Sequence, residues 1–149
     1  MQATFTVARP GDAERLVPLL REFYDYDHIP LDEPAARRAL AQLLADARLG
    51  LVYLIELGGE LVGYLVVTFG FSLEFMGRDA FVDELFLRAE FRGRGLGGRA
   101  LAVAEETCRA EGVRALHLEV ERANTGAQGV YRRAGFKDHD RYLLTKWLD

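Results

Sequence analysis

The sequence predicts an α/β (α+β) fold in which a mixed sheet carries helices on both faces. Short apolar runs and helical stripes follow one another in the order β-α-α-β-β-β-α-β-α-β. Gly58-Gly59 separates two apolar runs as a tight hairpin turn, so the first half of the sheet is predicted to be antiparallel. The second half repeats strand and helix. Strict alternation is lacking over the whole chain, which argues against a doubly wound parallel sheet.

The first half of the chain supplies a short strand, two helices and the hairpin. Pro10 and Gly11 end the opening strand, and apolar residues at helical spacing follow it. The predicted elements are a strand at 4–8, helices at 13–24 and 33–47, and strands at 51–57 and 60–71.

The second half supplies the remaining strands and helices. A loop over 72–79 leads into the central strand, and Gly112 and Gly135 end the two helices. The predicted elements are a strand at 81–87, a helix at 96–111, a strand at 115–120, a helix at 124–134 and a final strand region from Phe136 through 142–147. The sheet is therefore expected to hold six to seven strands.

Composition and charge narrow the class of protein. Half of the residues are apolar and 28% are charged, so residues 1–149 are expected to form one domain. A net charge of −4 argues against nucleic acid as a partner. The single cysteine, Cys108, allows no internal disulfide, and no cysteine-based metal pattern occurs. No signal-peptide layout and no apolar run of about 18 residues is present, which predicts a cytoplasmic protein with no membrane partner.

A loop rich in arginine and glycine, RGRGLGG at residues 92–98, lies between the central strand and the next helix. Successive backbone N–H groups at a helix start bind phosphate. The loop formally matches the dinucleotide fingerprint G-x-G-x-x-G, and Glu119 or Glu121 could supply its acidic residue. Residues 88–92 separate the match from the strand, and a long β-α-α-β-β stretch precedes it, which argues against a dinucleotide.

Two blocks of residues resemble the GNAT superfamily of N-acetyltransferases. Residues 92–97, RGRGLG, match the acyl-CoA loop of the family, [Arg/Gln]-x-x-Gly-x-[Gly/Ala]. The strand at 118–120, Asn124, Tyr131 and Gly135-Phe136 match its second block. The resemblance covers essentially the whole chain, because the order of the opening elements also agrees. It implies an enzyme that transfers an acetyl group from acetyl-CoA, its co-substrate, directly to an amine without a metal.

The resemblance also implies where acetyl-CoA binds. The glycine loop would hold the pyrophosphate, and the pantetheine arm would pair with exposed backbone at residues 85–87. A main-chain N–H near Leu87 would polarise the thioester carbonyl. Asn124 would contact the cofactor arm, and a plain role as helix cap is compatible with that contact. The implied cofactor-binding residues are Leu85, Phe86, Leu87, Arg92, Gly93, Arg94, Gly95, Leu96, Gly97, Gly98, Asn124 and Tyr131.

Acetyl transfer needs an acid for the departing thiolate and a base for the amine. Tyr131 resembles the general acid of the family, and its alternative is a core tyrosine on a helical face. Glu84 is the first candidate base, because a carboxylate on a central strand is costly to bury without a purpose. Asp83 is predicted to face the opposite side of the sheet. Glu119 resembles the base of members that acetylate protein N-termini. If all three are structural, water is the base.

In this family the acceptor amine enters between segments that correspond here to 24–28, 72–79 and 137–142. They carry acidic and aromatic residues, of which the substrate-binding candidates are Tyr24, Asp25, Asp27 and Glu74. This rim predicts a small cationic amine, such as a polyamine, a basic amino acid or an aminoglycoside-like molecule; solubilising loop charge explains it equally well. Protein N-termini or lysines are alternative acceptors, and a non-catalytic CoA- or nucleotide-sensing domain is the alternative class. The resemblance leaves homodimer formation open.

Overall fold

The computed structural model describes residues 2–149. One sheet and four helices make up the regular structure, with short 3-10 turns at Pro10–Asp12 and Ala89–Phe91. In chain order the elements are β1 (Ala3–Val7), α1 (Ala13–Tyr26), α2 (Glu33–Ala45), β2 (Gly50–Leu57), β3 (Glu60–Ser72), β4 (Gly77–Leu87), α3 (Leu96–Ala110), β5 (Ala115–Leu118) and α4 (Thr125–Arg133).

The sheet is mixed, as the sequence predicts. Its five strands lie in the order β1-β2-β3-β4-β5, with antiparallel pairing except between β4 and β5, which are parallel. The helices cover both faces. Leu16 of α1 and Leu40 of α2 pack into one core, and Ala100 and Ala104 of α3 pack into the other. The α/β class is therefore confirmed.

Two irregularities of β4 shape the centre of the molecule. Parallel pairing with β5 covers only residues 79–82 of β4 and ends at Val82↔Leu118, whereas pairing with β3 continues to Leu87↔Gly63. The last part of β4 therefore has one open edge. The register with β3 also shifts at Asp83, because Val82 faces Val67 and Glu84 faces Val66. Asp83 is the extra residue of this β-bulge, and bulges redirect side chains.

Several predicted boundaries are wrong. The loop expected over 72–79 is half strand, because the β3–β4 hairpin leaves only residues 73–76 at its tip. The predicted final strand through 142–147 does not form among the described residues, so the sheet has five strands rather than six or seven. An apolar segment becomes a strand only when an edge pairs with it. Here residues 137–142 are held by side-chain contacts such as Arg132–Asp138 and Arg141–Glu74.

Within residues 2–149, no helix combines the length and the apolar character needed to cross a bilayer.

Candidate active site

The open edge of β4 presents backbone groups that β3 does not use. The N–H of Arg88 donates to the carbonyl of Val62 at 2.9 Å, which directs the main chain of Arg88 toward β3. Because N–H and C=O groups alternate between the two edges of a strand, the main chains of Leu87 and Leu85 face the open edge. Leu85 and Leu87 are the residues expected to pair with the pantetheine arm. This edge can accept one extended ligand in place of a further strand.

The glycine loop ends beside this edge and opens α3. Gly93 and Gly95 have φ of 74° and 81°, in the left-handed region that favours glycine. Gly95 occupies the N-cap position, and no side chain in the described part of the chain caps the helix. The first N–H groups of α3, from Leu96 onward, therefore remain available to an anion at the positive end of the helix dipole.

Open space surrounds the glycines of this loop. A Cβ at Gly93, Gly95, Gly97 or Gly98 would meet no atom of residues 2–149 within 4 Å. The glycines therefore do not serve packing within the chain, and their bare backbone lets another molecule approach closely. The donor set and the space fit the pyrophosphate of acetyl-CoA, which needs several N–H groups converging on adjacent oxygens.

The two loop arginines fold back onto the protein. The Nε of Arg92 donates to the carbonyl of Leu87 at 2.8 Å, and its guanidinium lies 4.3 Å from the ring centre of Tyr26. Arg94 donates to the carbonyl of Glu90 at 3.1 Å. Both guanidinium groups thus contact main-chain carbonyls of the chain itself. Arg92 instead ties the glycine loop to the open edge of β4 and to the end of α1.

Glu84 is the half-buried carboxylate of the site. The hydroxyls of Tyr24 and Tyr64 donate to it at 2.6 and 2.7 Å. Burial raises the pKa of Glu84 and outweighs the two hydrogen bonds, which act to lower it. A carboxyl with a raised pKa is a better proton acceptor near neutral pH than an ordinary glutamate.

The bulge at Asp83 decides where Glu84 points. Val82 packs in the core beneath α3, whereas Glu84 meets Tyr64, which belongs to the core of α1 and α2. Strict alternation would put residues 82 and 84 on the same face. The bulge therefore breaks the alternation between Val82 and Glu84, and Asp83 is exposed.

Tyr131 lies on α4, half-buried, with its ring 6.4 Å from that of Phe136. Burial raises the pKa of its phenol, and the Asp27 carboxylate adds to that rise. Asp27 also acts, as a lesser cause, to raise the pKa of Glu84. Asp27, at the end of α1, is thus within electrostatic reach of both Glu84 on β4 and Tyr131 on α4. A raised pKa keeps the Tyr131 hydroxyl protonated at neutral pH.

The remaining predicted residues have varied surroundings. The side chain of Asn124 caps α4 by accepting from the N–H of Ala127 at 3.2 Å. Glu119 is exposed just beyond the end of β5. Phe86 is buried among aromatic rings, 5.5 Å from Phe23. Its side chain is therefore not available to a cofactor, and by the alternation described above its main chain faces β3 and not the open edge.

Of the three carboxylates predicted to bind the substrate, one is neutralised by an ion pair. Glu74 forms a bidentate ion pair with Arg141, with N–O distances of 2.8 and 2.5 Å. No ion pair within residues 2–149 involves Asp25 or Asp27, and both are exposed. Tyr24, predicted to lie in a link, belongs to the last turns of α1, and its hydroxyl is committed to Glu84. The unpaired negative charge lies at the end of α1.

Sequence reasoning missed two polar contacts of this region. Tyr64 lies within an apolar strand, and only the β3–β4 register brings it beside Phe86 and Glu84. His117 lies 3.2 Å from Asp79 and between the rings of Phe75 and Phe81. A tyrosine or histidine inside an otherwise apolar strand is the signal that could have directed attention to both.

The site combines the open edge of β4, the glycine loop at the uncapped start of α3, the phenol of Tyr131 and the carboxyl of Glu84 with its raised pKa. This combination is the one expected of an acyltransferase that uses an acyl-CoA donor. The chain matches the model of the acetyltransferase (GNAT) family over residues 13–136. It belongs to that family and is an acetyltransferase. No group of three or more histidine, cysteine, aspartate or glutamate side chains that could hold a metal occurs in residues 2–149.

Relatives and solved structures agree with this assignment. The thialysine N-epsilon-acetyltransferase of Bos taurus is 25% identical over 140 residues, covering 88% of this chain and 82% of the relative. An integron cassette protein from the Cole Harbour salt marsh metagenome, HFX_CASS3, is 43% identical with a TM-score of 0.87, covering 97% and 90%. A predicted acetyltransferase of Clostridium acetobutylicum, solved with acetyl-CoA, shares the fold with a TM-score of 0.82 at 16% identity, covering 97% and 96%.

Proposed function

We propose that this enzyme transfers the acetyl group of acetyl-CoA to a primary amine of a small cationic molecule, by direct attack through a tetrahedral intermediate. The observation that carries the proposal is Glu84. It is a half-buried carboxyl with a raised pKa, held by two tyrosines on the strand whose edge is open. A polyamine, a basic amino acid or an aminoglycoside-like amine is the acceptor.

The donor occupies the open edge of β4 and the start of α3. The N–H groups at residues 96–98 bind its pyrophosphate, and the main chains of Leu85 and Leu87 hold the pantetheine arm. The N–H of Leu87 donates to the thioester oxygen and stabilises the negative charge that develops there. Arg92 already contacts the carbonyl of Leu87 and keeps the loop next to this edge.

Three proton transfers accompany the reaction. Glu84 removes one proton from the ammonium form of the acceptor, directly or through one water, so that the free amine attacks the thioester carbon. The C–S bond then breaks, and Tyr131 donates its phenolic proton to the departing thiolate. The acetylated nitrogen still carries one proton too many and returns it to the Tyr131 phenolate, directly or through water. Glu84 releases its proton to solvent, so that one proton is released for each acetyl group transferred. Glu119 is the alternative base, and water is the third.

A cationic acceptor is supported by the charge around the site. Asp25 and Asp27 carry unpaired negative charge beside Tyr24, and Asp27 acts on both Glu84 and Tyr131. A carboxylate in that position attracts an ammonium group and orients its second amine toward the thioester. The bovine relative is named for acetylation at an N-epsilon position, which is also an amine on a flexible chain.

A panel of amines tests the proposal. Acetyl-CoA-dependent thiol release is measured with polyamines, basic amino acids, aminoglycosides, neutral amines and an N-terminal peptide. We expect the cationic small molecules to give the highest kcat/KM. Asp27→Asn should raise KM for them by about tenfold, a loss of roughly 1.4 kcal/mol. Glu106→Gln, which removes the same charge from an exposed site on α3, is the matched control and should leave KM unchanged.

Three results would contradict the proposal. Faster turnover of neutral amines would exclude the cationic acceptor, and turnover of peptides alone would favour a protein acetyltransferase. A shift of the melting temperature with CoA but no thiol release with any amine would favour a CoA-sensing domain.

A further inference from the structure

The two tyrosines that bind Glu84 differ in their access to solvent. The hydroxyl of Tyr24 donates to one carboxylate oxygen at 2.6 Å, and the hydroxyl of Tyr64 donates to the other at 2.7 Å. Tyr64 is 1% exposed, whereas Tyr24 is only partly buried. Tyr64 is therefore closed to a substrate, and of the two phenols only that of Tyr24 can meet one.

Tyr24 comes from the part of the chain that carries the unpaired negative charge of the site. It belongs to the last turns of α1, and Asp27 follows it by three residues. Residues three apart on a helix are neighbours, so Asp27 lies beside Tyr24. Asp27 also acts on the pKa of Glu84 and of Tyr131. An ammonium group attracted by Asp27 therefore arrives on the side of Glu84 that Tyr24 occupies.

The hydroxyl of Tyr24 can accept a hydrogen bond as well as donate one. Its hydrogen is directed at Glu84, which leaves the lone pairs of the phenol oxygen free for another donor. An ammonium group has three donors and no acceptor. The free lone pairs of Tyr24 therefore match the acceptor amine in its protonated form.

Contacts of α1 fix the position of this phenol. The ring of Tyr24 packs edge-on against Phe23, with ring centres 5.6 Å apart. One turn-half further on, the ring of Tyr26 lies 4.3 Å from the guanidinium of Arg92, which donates to the carbonyl of Leu87. The end of α1 is thereby joined to the strand edge that is proposed to hold the thioester.

We propose that Tyr24 is a catalytic residue that passes the proton of the acceptor ammonium to Glu84; this rests on the proposed function, in which Glu84 is the base. The ammonium first donates a hydrogen bond to the phenol oxygen. One N–H bond then breaks and its proton binds the oxygen of Tyr24, while the original O–H proton of Tyr24 passes to Glu84. The amine becomes neutral, the carboxylate becomes a carboxylic acid, and the phenol is neutral before and after.

The surroundings of Tyr24 require the two transfers to occur together. Burial raises the pKa of its phenol, and the hydrogen bond and the charge of Glu84 raise it further, with a smaller contribution from Asp83. A separate tyrosinate intermediate is therefore disfavoured at neutral pH. Tyr24 can give up its proton to Glu84 only as it receives one from the amine.

Two matched substitutions test this relay. Tyr24→Phe and Tyr64→Phe each remove one hydrogen bond to Glu84, but only Tyr24→Phe removes the proposed contact with the amine. Both should raise the pKa of Glu84, because each bond acts to lower it, and so move the acidic limb of the kcat/KM profile to higher pH. Asp27 on α1 and Asp83 on β4, the other charged groups that act on Glu84, are kept in both variants.

The two variants should separate in the pH range where Glu84 is ionised and the amine is still protonated. There Tyr24→Phe should lower kcat by roughly 10²-fold, because the path of the proton is broken. The loss in Tyr64→Phe should disappear once Glu84 is ionised, because only the pKa of Glu84 has changed. Equal losses in the two variants throughout this range would overturn the relay and assign Tyr24 to holding Glu84 alone.

The double variant Tyr24→Phe/Glu84→Gln shows whether Tyr24 acts through Glu84. Because both groups handle the same proton, we expect the double variant to lose no more than Glu84→Gln alone. Each loss should also shrink as the pH approaches the pKa of the amine, about 10.4 for a lysine-type amine, because the free amine needs no base. Losses that multiply in the double variant, or that stay constant with pH, would contradict the relay.

Folding and the proposed function are checked separately. Affinity for CoA by calorimetry should equal that of wild type in every variant, because none of the substitutions lies in the glycine loop. Tyr53→Phe, which removes a hydroxyl contact of 2.6 Å to Thr107 on the face covered by α3, should keep the kcat of wild type. Wild-type kcat in Tyr24→Phe beside a large loss in Glu84→Gln would refute the relay alone. Wild-type kcat in both would refute Glu84 as the base and the relay with it.

Discussion

Replacing Glu84 by Gln removes the candidate base while keeping the size of the side chain. The amide oxygen can still accept from Tyr24 or Tyr64, which lie 2.6 and 2.7 Å from the carboxylate oxygens. A positioned general base contributes roughly 10²–10⁴-fold to rate. Because the enzyme holds its base ready on a strand, we expect kcat/KM to fall by roughly 10²-fold or more. Affinity for acetyl-CoA should not change, because the carboxylate points to the tyrosines and not to the glycine loop.

Glu84→Gln should lower kcat/KM, but it should raise the free energy of unfolding relative to wild type as the pH rises. The pKa of Glu84 lies above its ordinary value of 4.5 because burial disfavours the charged form. Folding is therefore favoured by protonation of Glu84, and this contribution is fully present below pH 4.5. It is lost as the pH rises through the folded pKa, with a slope of at most about 1.4 kcal/mol per pH unit. The amide of the Glu84→Gln variant does not titrate, so the variant gains in stability relative to wild type as the pH rises.

Two measurements check this reasoning. Thiol release with the best amine gives kcat/KM from pH 5 upward, and urea unfolding over the same range gives the free energy of unfolding. Glu119→Gln is the matched carboxylate control. Wild-type activity in Glu84→Gln together with a large loss in Glu119→Gln would move the base to Glu119. A difference in stability that shrinks as the pH rises would show that the pKa of Glu84 is lowered instead.

The other predictions concern the glycine loop, residues 92–98, and Tyr131, the candidate general acid. Gly97→Ala should stabilise α3 by up to about 1 kcal/mol, because its Cβ meets no atom of residues 2–149 within 4 Å, yet it should raise KM for acetyl-CoA. Gly95→Ala, at a φ of 81°, should instead cost about 1–2 kcal/mol of unfolding free energy. Unchanged KM in Gly97→Ala would refute the loop assignment. Tyr131→Phe should lower kcat by roughly 10²-fold with CoA affinity by calorimetry unchanged, and an unchanged kcat would assign Tyr131 to packing alone.

Local sequence patterns predicted most of the helices, strands and turns, because the interactions that form them lie within short segments. The Gly58-Gly59 turn, the stripe of α1 and the helix start after Gly95 all formed as predicted. The final strand predicted through residues 142–147, by contrast, does not form. Its apolar pattern suits a strand, but strand formation also needs an edge that pairs with it, which no local pattern contains. The loop predicted over 72–79 is shorter in the structure for a related reason. A hairpin continues as far as its two strands find partners, and here it leaves only residues 73–76 as the loop.

The sequence by itself determined the family, and it predicted the acyl-CoA loop and the candidate acid, since these depend on residue types at short spacing. Only the tertiary structure decided what surrounds them. The bulge at Asp83 turned Glu84 to the face where Tyr24 and Tyr64 hold it. The end of the β4–β5 pairing at Val82 left the edge of β4 open, where we propose that the donor binds. Both depend on register between distant strands, which is set by packing across the whole sheet and is not encoded in any one segment.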